Sequence, residues 1–161
     1  MLNKKDNNIL IVILSLLTIF LISAFAIEYI FGHQACKLCI YQRYPYFISI
    51  FLIFNILLIK KYTKQTLLTL SLVSLIGSIL AFYHFGIEQG FLNESFICES
   101  QNLSKDASKE EILRQLKENT ISCKNVTFRI FGLSLASINT IFSFLLFCIF
   151  IKIYKNYEIN K

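Results

Sequence analysis

The sequence predicts an all-α membrane protein, a four-transmembrane-helix bundle with two outer loops. Hydrophobic residues make up 55% of the 161 residues, and the mean hydropathy is +0.59. Four stretches lack Asp, Glu, Lys and Arg, and each is near the ~20 residues that cross ~30 Å of hydrocarbon. Apolar residues cover all sides of these stretches without two-residue alternation, so helices are expected rather than barrel strands. We predict one integral membrane domain over 1–161, with spans at 9–30, 44–59, 66–87 and 132–152.

The first predicted span follows two basic residues, Lys4 and Lys5. A charged start, an apolar stretch and the small residues Ala24 and Ala26 are also typical of a cleavable signal peptide. However, the apolar stretch is long for a signal, and its removal would leave three helices for the bundle. We therefore expect the first span to be retained.

The second predicted span is the shortest of the four. Arg43 and Lys60 lie at its two ends, and they extend its apolar reach by keeping their charged groups outward. Pro45 fits the first turn of this helix, where its missing N–H is not needed. In the fourth span, Cys148 is expected to pack as a small apolar residue.

The distribution of basic residues predicts the orientation. Lys60, Lys61 and Lys64 lie between the second and third spans, and further lysines flank both ends of the chain. By the positive-inside rule these regions face the cytoplasm, which leaves loops 31–43 and 88–131 outside. Acidic and basic residues nearly balance in the longer outer loop, so the net charge of +6 comes from the inner rim. That pattern argues against nucleic-acid binding, which needs a basic stripe on a folded face.

The longer outer loop contains one helix-like segment, residues 108–118. Ser108 followed by Glu111 is a capping-box pattern, and apolar residues recur on one side. The segment fits a short amphipathic helix on the membrane surface or on a partner. A solvated, partly disordered loop fits it equally well.

Four of the five cysteines fall in the outer loops, on the side where disulfides persist. They allow three connectivities, of which proximity favours Cys36 with Cys39 and Cys98 with Cys123. The first pair would close a very small ring, as redox-active pairs do, and the second a longer, stabilising loop. Two structural disulfides in a non-enzymatic membrane protein are an alternative. A metal site from the four cysteines with His33 is another, which the wide spacing of the second pair disfavours.

Cys39 has the environment of a reactive thiol. It lies near the predicted start of the second helix, where unpaired N–H groups favour an anion, and Arg43 follows at i+4. Both effects lower the pKa of a thiol and stabilise its thiolate. If the helix begins only near Tyr44, as Pro45 allows, the closeness of Cys39 and Arg43 has to come from the fold of the loop.

The stretch CKLCIYQR, residues 36–43, resembles the C-x-x-C-x-x-x-R signature of the disulfide bond formation protein B (DsbB) family. The rest of the layout is similar over residues 9–154. It has four spans, two later outer cysteines, and a Gly-Leu-Ser-like stretch, FGLSLASIN, after the last one. Ala35 stands where proline is common in the family, and Ser137 where an aromatic is common. These departures concern the loops rather than the redox residues.

The resemblance implies a quinone-dependent thiol oxidase of the bacterial inner membrane. Such an enzyme reoxidises a periplasmic DsbA-like thioredoxin-fold protein and passes two electrons to ubiquinone or menaquinone. Residue by residue, it implies that the partner attacks a disulfide between Cys98 and Cys123, which then exchanges with Cys36 and Cys39. It also implies that Cys39 faces the quinone as a thiolate, with Arg43 stabilising the negative charge.

Other polar and aromatic residues at the outer ends of the spans have less specific roles. His84 is a candidate to hydrogen-bond a quinone carbonyl or relay a proton, and an interfacial histidine satisfied by its neighbours is an equal alternative. Glu28 is expected to face water, and no resident metal is expected. The aromatic residues near the second span are expected to form an interfacial belt, namely Tyr41, Tyr44, Tyr46 and Phe47.

Overall fold

Four long helices form the framework of the computed structural model, which describes residues 3–33, 35–60, 62–93, 123, 129–130 and 132–159. Among these residues, four helical segments are long and apolar enough to cross a membrane. The predicted bundle of four membrane helices is therefore confirmed. The helices are α1 (Lys4–Tyr29), α2 (Lys37–Tyr41), α3 (Arg43–Ile59), α4 (Thr63–Glu88) and α5 (Leu135–Ile159), and the antiparallel strands β1 (Arg129–Ile130) and β2 (Leu133–Ser134) precede α5.

The second apolar segment consists of two helices, α2 and α3, joined by Gln42. Gln42 has the helical angles φ −68° and ψ −16°, so the chain continues through it. Pro45 has no N–H to donate to the preceding turn, which explains a break in hydrogen bonding at this point. The helical segment begins at Lys37, earlier than the position of Pro45 predicted, and this places Cys36 at its N-cap.

The outer surface of the bundle is apolar, because large hydrophobic side chains point outward from all four long helices. A soluble monomer rarely exposes apolar patches of this extent, whereas lipid covers them readily. The chain is therefore a multi-pass membrane protein. Side chains more than half exposed include Ile19, Ile22, Phe51, Phe54, Ile79, Phe82, Ile141 and Phe144.

One half of the bundle, here called the core half, is filled by apolar side chains from all four long helices. In α4, buried small residues such as Ser71, Ser74 and Ser78 let α5 approach closely. Gly77 has a similar role toward α3, since a β-carbon there would lie 3.2 Å from Pro45 Cβ. The core half contains Leu10, Ile13, Leu17, Ile53, Ile56, Leu67, Leu70, Leu146, Phe150 and Ile153.

The opposite half, here called the site half, contains the C-terminal ends of α1 and α4, the N-terminal ends of α3 and α5, and all of α2. A cavity separates α1 from α5 here. The predicted loop helix at 108–118 and Cys98 lie outside the described residues, whereas Cys123 is described and buried.

Candidate active site

The cavity in the site half has a volume of about 320 Å³. The rings of Phe20 and Phe142 contact each other in its wall, with centroids 4.4 Å apart. The cavity is mostly apolar along α1 and α5, apart from Ser23, Glu28 and Asn139, and it is polar where α2, α3 and α4 meet. Its polar side chains include Glu28, His33, Cys36, Cys39, Gln42, Arg43, Tyr46, His84, Glu88 and Asn139.

Cys36 and Cys39 are free thiols at the polar end of this cavity. Cys36 is the N-cap residue of α2, and its Sγ accepts the backbone N–H of Cys39 at 3.2 Å. The two sulfurs are hydrogen-bonded at 2.8 Å. Because the N–H of Cys39 already points at Cys36 Sγ, negative charge is better stabilised on Cys36, and we assign the shared proton to Cys39.

The pKa of Cys36 is strongly lowered. The hydrogen bond with the Cys39 thiol is the largest cause, and His84, whose Nε2 lies 3.6 Å from Cys36 Sγ, adds to it. Despite opposing burial, the pKa of Cys36 falls from its ordinary value of 9.0 to about 5. The sequence predicted the stabilised thiolate at Cys39. In the structure the lowered pKa is that of Cys36, because α2 begins at Lys37 and Cys36 takes the cap position.

Cys123, from the segment between α4 and β1, lies beside this thiol pair. It is disulfide-bonded and 2% exposed, and it lines the same cavity. The structure thus brings a disulfide-bonded cysteine beside the free thiols, as an exchange reaction requires. The buried residues that share its cluster are Cys36, Leu38 and Ile87.

His84 is buried at the same place, with 3% exposure. Its Nε2 faces Cys36 Sγ and lies 4.0 Å from Glu88 Oε1, while its Nδ1 lies 3.1 Å from Gln42 Nε2. Both ring nitrogens therefore have polar neighbours. His84 lies close enough to the thiol pair to influence its protonation.

Comparison with known proteins assigns the chain to a family. The family model described as "Disulfide bond formation protein DsbB" matches residues 6–153. The chain belongs to the DsbB family. A relative, the uncharacterized protein RP370 of Rickettsia prowazekii (strain Madrid E), is 31% identical over 142 residues, which cover 84% of this chain and 81% of the relative. No solved structure matches the present chain.

Membership of the DsbB family makes this chain a membrane protein of disulfide-bond formation with disulfide oxidoreductase chemistry. The resemblance inferred from CKLCIYQR is thereby confirmed.

The Gly-Leu-Ser stretch of this DsbB-family chain builds the entry to α5. Gly132 has φ 81°, a conformation that glycine adopts without strain, in the hairpin between β1 and β2. Ser134 then acts as an N-cap, since its Oγ accepts the backbone N–H of Ser137 at 3.1 Å. The Ser134 hydroxyl donates to the Glu88 carboxylate, so the cap also joins α5 to the end of α4 beside His84.

Arg43 and Glu28 form an ion pair in the cavity wall. Arg43 Nη1 lies 2.5 Å from Glu28 Oε2, and the guanidinium lies 4.8 Å from the centroid of the Phe25 ring. Their side chains are only 14% and 21% exposed. The expectation that Glu28 faces water is therefore wrong, because the ion pair with Arg43 holds its carboxylate at the cavity.

Tyr46 also departs from the sequence prediction. Its hydroxyl donates to Asn139 Oδ1 and lies 3.0 Å from Ser143 Oγ, so it faces the bundle interior rather than an interfacial belt. A polar side chain on α5, Asn139, provides the partner that draws it inward. The remaining aromatics of the predicted belt are exposed, at 49% for Tyr41, 58% for Tyr44 and 46% for Phe47.

Four polar residues of the site were missed by sequence reasoning: Gln42, Glu88, Ser134 and Asn139. Asn139 stands out in retrospect as an amide inside an apolar span, where an unpaired polar group is costly. Glu88 follows His84 at i+4 and therefore shares its helix face. Gln42 gave no separate signal, because it lies inside the C-x-x-C-x-x-x-R motif without being one of its defining positions.

Cys36, Cys39 and His84 are also the described residues whose ligand atoms could hold a metal, lying within 4.8 Å of one another. Two thiolates on one tetrahedral zinc ion, each at ~2.3 Å from it, would lie about 3.8 Å apart. The sulfurs here are 2.8 Å apart, closer together than a shared zinc ion would hold them. Cys123 is already disulfide-bonded, so the four-cysteine metal site considered from the sequence lacks one ligand.

Proposed function

We propose that this protein is a membrane thiol:quinone oxidoreductase. It reoxidises a periplasmic DsbA-like thioredoxin-fold protein and passes the electrons to a membrane quinone, which supports disulfide bond formation. The proposal includes the orientation predicted from the lysines, in the bacterial inner membrane with both termini cytoplasmic and the cysteines outside.

One observation carries the proposal. Disulfide-bonded Cys123 and the free thiols Cys36 and Cys39 meet at the polar end of a cavity whose other walls come from apolar membrane helices. Soluble thiol chemistry approaches such a site from the loops, and a lipid-soluble electron acceptor approaches it from the bilayer.

The cavity residues fit a quinone. A bound quinone supplies an acceptor for two electrons and two protons. Apolar side chains such as Phe20 and Phe142 suit a ring and its hydrocarbon tail, Arg43 provides donors for a carbonyl oxygen, and His84 lines the same cavity. Ubiquinone and menaquinone both meet these requirements.

Thiol exchange in the loops comes first. The partner's thiolate attacks Cys98 of a Cys98–Cys123 disulfide, and Cys123 leaves as a thiolate. The partner's second thiolate then attacks the sulfur bound to Cys98 and releases the partner in its oxidised form. Two electrons and two protons now reside on Cys98 and Cys123.

The second exchange moves these electrons to the cavity. Cys123 attacks Cys36, its neighbour in the buried cluster, and Cys39 leaves toward the cavity. Cys98 next attacks Cys123, which restores their disulfide and frees Cys36.

In the last step Cys36 and Cys39 return to a disulfide and give up two electrons and the proton of the Cys39 S–H, and the second proton that a reduced quinone needs comes from water. Cys36 carries the thiolate, which is the nucleophilic form, and Cys39 carries the remaining S–H. His84 Nε2 lies 3.6 Å from Cys36 Sγ and is positioned to donate a hydrogen bond to this thiolate. Arg43 supplies positive charge in the same wall for the negative charge that develops.

The test compares Cys36→Ser with Cys148→Ser in lipid nanodiscs that contain quinone. Cys148 is an exposed free cysteine on α5 and does not line the cavity, so its replacement is a matched control. We expect Cys36→Ser to abolish oxidation of the reduced partner and Cys148→Ser to retain it. If Cys36→Ser kept full turnover and lost only thermal stability, the alternative of a non-enzymatic protein with two structural disulfides would stand.

A further inference from the structure

Gln42 is a buried amide at the junction of α2 and α3, with 7% exposure. It lies next to Arg43 in the sequence, but its side chain points to α4 and α5. Its Nε2 lies 3.4 Å from the Leu80 carbonyl oxygen and 3.1 Å from His84 Nδ1. Its Oε1 lies 2.6 Å from Asn139 Nδ2.

These contacts fix the orientation of the Gln42 amide. The Leu80 carbonyl can only accept a hydrogen bond, so the Gln42 atom that faces it must be the NH2 group. The other end of the amide is then the oxygen, and it accepts from the NH2 group of Asn139. A flipped amide would place oxygen against oxygen at Leu80 and NH2 against NH2 at Asn139.

The fixed amide determines which nitrogen of His84 carries the proton. One N–H of Gln42 points at Leu80, and the other points at Nδ1 of His84. Nδ1 must therefore accept, and in a neutral imidazole the proton is then on Nε2. Nε2 is the nitrogen that faces Cys36 Sγ at 3.6 Å.

We propose that Gln42 is a positioning residue that holds His84 as the Nε2–H tautomer, so that His84 donates to the sulfur of Cys36. Asn139 supports this arrangement from α5 by binding the amide oxygen. The consequence for catalysis rests on the proposed function, because a donor at Cys36 stabilises the thiolate that is oxidised in the last step. The opposite tautomer would turn a lone pair toward that thiolate.

The tautomer can be measured directly, without quinone or partner. Reduced protein with ¹⁵N-labelled histidine is placed in lipid nanodiscs, and long-range ¹H–¹⁵N spectra distinguish protonated from unprotonated ring nitrogens. The chain has two histidines, so the signals that disappear in His84→Gln belong to His84. We expect an unprotonated Nδ1 and a protonated Nε2 in the wild-type protein. A protonated Nδ1 in the wild-type protein would overturn the proposal.

The variant Gln42→Glu tests whether Gln42 sets the tautomer of His84. A carboxylate can only accept, so Nδ1 of His84 should gain a proton in this variant. Gln89→Glu makes the same chemical change at an exposed position at the end of α4 and should leave the His84 signals unchanged. An Nδ1 that stays unprotonated in a folded Gln42→Glu protein would contradict the role of Gln42. If that variant does not fold, the protonation of Nδ1 in the wild-type spectrum still tests the proposal.

Kinetics separate this inference from the proposed function. We expect quinone-dependent oxidation of the Cys36 and Cys39 dithiol to slow at least about tenfold in Gln42→Glu, with an unchanged KM for the thiol partner. An unchanged rate despite a changed tautomer would refute the link to catalysis. A wild-type protein with the expected tautomer but no quinone-dependent turnover would refute the proposed function and leave the tautomer assignment intact.

Discussion

At the scale of single residues, the charge on Cys36 is the property most open to measurement. Because the Cys39 thiol and His84 lower its pKa, we expect the thiolate of Cys36 to predominate at neutral pH in the reduced protein. We expect the ultraviolet absorbance of the thiolate to rise with a midpoint near pH 5, and Cys36→Ser to remove this transition. A midpoint near the ordinary value of 9.0 would contradict the geometry at the cap of α2.

The same pKa couples folding to pH. The unfolded chain binds a proton at Cys36 up to its ordinary pKa of 9.0, whereas the folded chain releases it down to about 5. The lowered pKa of Cys36 therefore adds to the free energy of unfolding. This contribution is fully present above the pKa of the unfolded chain, and it is lost as pH falls through the pKa of the folded chain. Denaturation of the reduced protein between these limits, compared with Cys36→Ser, should show this slope in the wild-type protein only.

The ion pair between Arg43 and Glu28 gives a second prediction. Arg43→Gln leaves a largely buried carboxylate without its partner, and we expect it to lower the free energy of unfolding by about 1–3 kcal/mol and to raise the KM for quinone. Glu28→Gln should also destabilise the protein. The double variant should cost less than the sum of the two single variants, because the pair is lost only once. Fully additive losses in denaturation experiments would exclude a direct interaction.

At the scale of the elements, the start of α5 depends on one hydroxyl group. Ser134 caps the helix and donates to Glu88, so Ser134→Ala should lower the free energy of unfolding by about 1 kcal/mol or more. Ser134→Thr should retain most of this contribution. Ser137→Ala removes the hydroxyl that lies 2.9 Å from Ser134 Oγ but keeps the backbone N–H that the cap binds, so we expect a smaller loss from it. Equal losses in Ser134→Ala and Ser137→Ala on thermal denaturation would argue against a capping role.

The elements also show where prediction from sequence succeeds and where it fails. The long helices were predictable because lipid requires every backbone group to be satisfied within its own segment. The start of the second apolar segment was not predictable. Pro45 suggested that the helix begins there, whereas the separate short helix α2 precedes it.

The site residues were predictable from the sequence only where they belong to one short motif. The thiol pair and Arg43 share one short stretch, but Gln42 and Asn139 are 97 positions apart and meet only because the junction of α2 and α3 lines the same cavity as α5. A polar residue whose partner is that remote cannot be paired from a single sequence, and Tyr46 was misplaced for the same reason.

At the scale of the whole molecule, the orientation in the membrane is the main prediction to test. Phe91, after α4, is 81% exposed, and Tyr62, between α3 and α4, is 59% exposed. A cysteine at position 91 should react with an impermeant maleimide on spheroplasts, and a cysteine at position 62 should react only after the cells are opened. Both would be placed in a variant without the native cysteines. Labelling in the opposite order would invert the topology and remove the proposed periplasmic role.

The separation of the core half from the site half has a consequence for engineering. Packing residues such as Leu17, Leu70 and Phe150 have no part in the cavity, and the redox residues have no part in that packing. Stability and chemistry can therefore be altered separately if Tyr46 and Phe142, which pack on the core half and also line the cavity, are kept. A more stable catalyst for making disulfide-rich proteins can therefore be sought by redesigning the core half of the bundle without changing the cysteines of the site half.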